Sequence, residues 1–162
     1  MNGHPRTVYL LSCRPRPSQR AHFAIFVPSA PDPTKGTAIH VVGAPMAGFV
    51  LEFKRNYVPD EETEPHELVP VGQVHARDIV DSSSPGGAMV RDNTPRGNIE
   101  IAASQIPPPR ISENFMAPVN DEWTMEFVRH LVTKGIIGEE AIGRVQAKRD
   151  SATHGIGLRA VG

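Results

Sequence analysis

Ala21-His22-Phe23-Ala24-Ile25-Phe26-Val27 is the stretch on which the fold turns. Side chains alternate along a strand, so His22, Ala24 and Phe26 share one face and Phe23, Ile25 and Val27 the other. Both faces are apolar, which predicts a central strand covered on both sides. Ala38-Ile39-His40-Val41-Val42-Gly43 repeats the pattern. Each run carries one histidine, a polar, titratable ring where every polar atom needs a partner. Either ring alone reads as a hydrogen-bonded core residue. As a pair on adjacent strands they form a candidate site.

Outward from these two runs, Thr7 to Ser12 reads as a first strand, rich in β-branched and aromatic types. Gly48 to Asn56 alternates Phe49, Leu51 and Phe53 against Val50, Glu52 and Lys54, which predicts a strand with one wet face, near an edge. Leu68 to Val74 is a further strand in which Pro70 favours an edge or a bulge. The acidic segment Asp60-Glu61-Glu62-Thr63-Glu64 reads as a solvated connection, and 81–97, rich in Ser, Pro and Gly, as a flexible excursion. Asn98 to Gln105 predicts a short helix capped by Asn98. The strongest helix starts with Asn120 as N-cap and Asp121 and Glu122 at the positive end of its dipole. Its apolar face is Trp123, Phe127 and Leu131 with Val128 and Val132. Glu139 to Lys148 gives a last helix with Ala141, Ile142 and Val145 inward, and 150–162 is an aperiodic tail. Strands first and helices last predict an α+β fold, one antiparallel sheet of about five strands packed by C-terminal helices.

The whole chain, 1–162, fits a single domain. Seventeen basic against eighteen acidic side chains leave no net field for a polyanion, so nucleic acid is not an expected partner. The lone Cys13 excludes an internal disulfide framework, and no apolar run reaches the length of a membrane span. With no apolar leader after Met1, the expected location is the cytoplasm. His66 and His75 lie near Glu64, Glu67 and Asp78 but lack metal-ligand spacing, so neither a metal nor a cofactor is expected.

Three stretches, His22-Phe23-Ala24-Ile25-Phe26-Val27, Ala38-Ile39-His40-Val41-Val42-Gly43 and Asn120-Asp121-Glu122-Trp123, resemble in order and spacing the circularly permuted papain-like proteins. That group includes lecithin:retinol acyltransferase relatives, NlpC-type peptidases and PPPDE-type isopeptidases. The resemblance implies a permuted papain-like fold with His22 as general base and His40 as the ring-orienting histidine. It puts Asp121 at the position of the nucleophilic cysteine, with Asn120 and Trp123 beside it as ligand contacts. A carboxylate there preserves an ion pair with an imidazolium but is a far weaker nucleophile than a thiolate. Cys13 could replace the missing nucleophile only if the first strand brought it beside His22.

Two functions follow as expectations. The first is a degenerate thiol-hydrolase or acyltransferase-like scaffold that binds a small-molecule, acyl or peptide ligand without covalent catalysis. The second is a cofactor-free acid/base enzyme, an isomerase, cyclase or lyase of small-molecule biosynthesis, using His22, His40 and Asp121. The oligomeric state is left open.

Overall fold

The computed structural model describes residues 4–44, 47–81, 87–109 and 119–150, and the side chains of 44 and 119–121 lie outside that description. Its centre is one antiparallel sheet of six strands. These are β1 (Arg6–Cys13), β2 (His22–Pro28), β3 (Gly36–Ala44), β4 (Gly48–Tyr57), β5 (His66–Val74) and β6 (Val90–Asp92), in the order β5-β1-β2-β3-β4-β6. The two histidine runs are central, as their apolar faces require. β5 is an edge, and its register against β1 slips between Val8 and Tyr9, where Pro70 can supply no ladder N–H. The expected count of about five strands is one short. β6 lies inside the segment read as a flexible excursion and pairs Val90, Arg91 and Asp92 with Arg55, Lys54 and Phe53.

Among the described residues three helices follow: α1 (Gly97–Ser104), α2 (Val119–Thr133) and α3 (Glu140–Gln146). α2 buries Trp123, Met125, Phe127, Val128 and Leu131 in a core with Phe23, Ile25, Val27, Ile39, Val41 and Phe53. α3 adds Ala141 and Val145 to this core and lies along β5. Arg55, almost wholly buried on the same face, is neutralised by Glu100 of α1 at 2.7 Å and Asp92 of β6 at 2.9 Å. Asn98 does not cap α1: its side-chain amide donates to Asp78 Oδ1 instead, and Glu100 accepts from the Arg96 backbone N–H. α2 starts at Val119, so Asn120 lies within its first turn rather than preceding it. No helix among the described residues is long and apolar enough to cross a membrane.

The opposite face carries a smaller core of Leu11, Cys13, Ala24, Phe26, Ala38 and Tyr57. Register fixes what crosses it. β4 ends at Tyr57, beside Gly36, whereas β5 begins at His66, beside Cys13, at the other end of the sheet. Residues 58–65 therefore run diagonally across this second face. Tyr57 donates its hydroxyl to Glu62 at 2.7 Å, and the Arg14 N–H bonds to the Pro65 carbonyl at 2.9 Å, pinning this strap at both ends. The acidic segment is solvated as expected at Asp60, Glu61, Thr63 and Glu64, and Glu62 alone turns toward the second core, onto Tyr57.

Candidate functional site

The alternation that sends Phe23 and Ile25 toward α2 sends His22 the other way, and the same holds for His40 between Ile39 and Val41. Both rings lie on the second face. His22 Nε2 is 2.8 Å from His40 Nδ1, with the rings edge to face at 79°, and His40 Nε2 is 2.8 Å from Glu52 Oε1. Glu52 is the register partner of His40 across the β3–β4 ladder, so the hairpin itself delivers the carboxylate. One step in the other direction, Cys13 is the register partner of His22. Cys13, His22, His40 and Glu52 thus form a row across four consecutive strands.

The carboxylate end sets the protons. A carboxylate only accepts, so His40 carries its proton on Nε2 and presents a bare Nδ1. His22 must then donate through Nε2, which leaves its Nδ1 lone pair at the end of the chain. Among the described residues no group is bonded to that nitrogen. Burial pushes both imidazoles down to about 3; the Lys54 ammonium adds to the effect on both, and Arg91 adds to it on His40. Both imidazoles are uncharged at physiological pH. Cys13 is buried, and burial with the Glu62 and Glu64 carboxylates of the strap pushes its thiol up to about 11. It is held as a protonated thiol, the opposite of an activated nucleophile.

The expected partnership with Asp121 meets a different geometry. Its helix packs on the Phe23 and Ile25 face, with the sheet between it and the imidazoles, and the side chains of Asn120 and Asp121 lie outside the described residues. The carboxylate the structure gives to the histidine pair is Glu52, which the alternation of its strand had marked only as facing water. Trp123, expected to contact ligand, is 3% exposed, stacks near Phe127 at 5.3 Å and donates its indole N–H to the Ile106 carbonyl. It is a core residue because that bond satisfies its one polar atom. His66 and His75 stand at opposite ends of β5, one on the Glu64 carbonyl and the other accepting from the Arg77 N–H, so they do not converge.

Beside the row, a cavity of about 650 Å³ opens over β4 between the strap and the residues leading into β6. Lys54, two residues along the strand from Glu52 and on the same face, lies in its wall with Tyr57, Glu62 and Arg91. Ligand sites fall in this range of volumes. No curated protein and no solved structure matches the chain. A family model described as "Family of unknown function (DUF6540)" matches residues 8–138, a span that takes in all of the sheet but Arg6 and Thr7 of β1, with the whole row, Arg91 and α2. The chain belongs to that family.

Proposed function

We propose that the second face is the active site of an acid/base enzyme acting on a small molecule, with His22 Nδ1 as the base. The observation that carries this reading is the continuous His22, His40, Glu52 chain, two contacts of 2.8 Å ending on a carboxylate. When a ligand C–H bond breaks, its electron pair stays on the ligand and the proton goes to His22 Nδ1. The Nε2 proton of His22 passes to His40 Nδ1, and the positive charge then rests on His40 against Glu52. A buried imidazolium formed next to a carboxylate is far less costly than an isolated one. The proton returns by the same route to a different atom of the ligand, or leaves with a departing group, as isomerisation, cyclisation or elimination requires. Cys13 takes no part, because its thiol stays protonated.

A second reading, ligand binding without turnover, is favoured by the low basicity of the histidine pair. A base near 3 works far from neutral pH, whereas efficient general bases lie close to it. Proton exchange separates the two. In D2O, a panel of small ketones and organic acids with acidic C–H bonds is followed by proton NMR. The acid/base reading expects exchange that falls by ~10²–10⁴-fold in His22→Gln, the usual loss on removing a general base. Saturable binding with exchange no faster than in buffer would overturn catalysis and leave the binding reading.

A further inference from the structure

Lys54 and Arg91 are register partners across the β4–β6 ladder, two cations directly opposite one another. Like charges in that position repel unless something neutralises them. Arg55, the next residue on the same strand, is bonded to two carboxylates. Among the described residues neither Lys54 nor Arg91 has any carboxylate within ion-pair distance. Both line the 650 Å³ cavity, whose wall includes the Tyr57 ring, 5.3 Å from Lys54 Nζ. Two carboxylates share that lining. Glu62 is tied to the Tyr57 hydroxyl, and Glu61 is exposed on the strap. The pair is a cationic clamp with a flat aromatic surface beside it and room for a ligand.

We propose that this cavity binds a small organic oxyanion, a carboxylate or a phosphate ester, with its charged oxygens between Lys54 and Arg91. A guanidinium and an ammonium on adjacent strands suit such a group, since charge-assisted hydrogen bonds are the strong ones and Arg engages an oxyanion through two N–H groups. As a binding site the clamp stands on its own geometry; as the substrate class of the reaction at His22 it rests on the acid/base reading. The two fit together physically. Burial is the main force that holds a proton off His40, and Lys54 and Arg91 add to it, so an anion placed between them offsets their share and makes the histidine chain more basic. Among the described residues, Glu52 and Tyr57 on β4, Glu62 and Glu64 on the strap and Cys13 on β1 are other titratable groups on this face, and none of them supplies a positive field.

The test titrates the ¹⁵N-labelled full chain with inorganic phosphate and with benzoate, reading the backbone amides of Lys54, Met89 and Arg91. Saturable shifts at these positions are expected, with affinity at least ~10-fold weaker in Lys54→Met and in Arg91→Gln, the scale of one lost charge-assisted contact. Tighter binding of one probe identifies the phosphate or the carboxylate form of the ligand. If Lys54→Met loses native amide dispersion, Arg91→Gln on the exposed strand decides alone. Shifts that grow without saturation, or an affinity unchanged in Arg91→Gln, overturn the site. His22→Gln is expected to keep the anion binding while losing proton exchange. Loss of anion binding with exchange intact would refute the clamp and spare the base.

Discussion

Cys13 shows how little a register position says about reactivity. It sits directly across from His22, the arrangement that would restore a thiol nucleophile, yet desolvation and the strap carboxylates hold its proton in place. Alkylation by iodoacetamide at neutral pH is therefore expected to run ~100-fold or more below a free cysteine, because only the thiolate reacts. Glu62→Gln, which removes the carboxylate with the larger effect on the thiol, should speed it. A rate equal to that of glutathione would mean that the thiol is activated and would return Cys13 to the mechanism. The histidine pair was legible because a polar ring in a two-sided apolar run has few explanations. Glu52 was not, because alternation says which side chains share a face but not who stands opposite. A further count was needed: Ala44 pairs with Gly48, and stepping back four residues on each strand brings His40 against Glu52. That count was available once the turn was located, so the missing carboxylate was a signal overlooked rather than one absent.

At the scale of elements, α2 is read well from its sequence because its three and four residue spacing matches the buried face closely. Phe127 is fully buried among core side chains, so Phe127→Ala should cost ~3–5 kcal/mol in chemical denaturation, a transfer loss plus an unfilled cavity. A loss under ~1 kcal/mol, the scale of surface changes, would show that the helix does not pack as described. β6 was missed for a physical reason. Its three residues carry no alternation long enough to register, both Val90 and Arg91 are exposed, and the surrounding Ser, Pro and Gly read as turn. It forms because β4 offers an unpaired edge and Asp92 reaches buried Arg55. Charge composition rightly predicts an exposed connection at 60–64, but only the position of the two strand ends reveals that it has to cross the sheet.

For the whole molecule, the sidedness of the sheet decides the chemistry, and this is what sequence periodicity cannot supply: the faces of β2 and β3 are both apolar, so nothing in them says which one the helices cover. The helices take the larger, aliphatic and aromatic face, and the titratable row is left under the strap. That arrangement makes stability depend on pH in a definite direction. His22 and His40 are held near 3 in the folded chain against about 6.5 when unfolded, so between those values the unfolded chain binds more protons. Their contribution is full above about 6.5 and is lost as pH falls toward 3, at up to ~1.4 kcal/mol per pH unit for each ring. Glu62 and Asp92, held low by Tyr57 and Arg55, add an acid loss only in the carboxylate range below, and Glu100, raised by burial, opposes it. The interval from pH 6.5 down to 5 lies inside the span that the histidines control, so their share is read against a chain that lacks them. Denaturant midpoints are expected to fall steadily across it in the native chain and to flatten in a His22→Gln, His40→Gln double variant. A native midpoint that stays level over that interval would mean the fold takes up the protons, and the pair of uncharged imidazoles that leaves His22 Nδ1 bare would not exist.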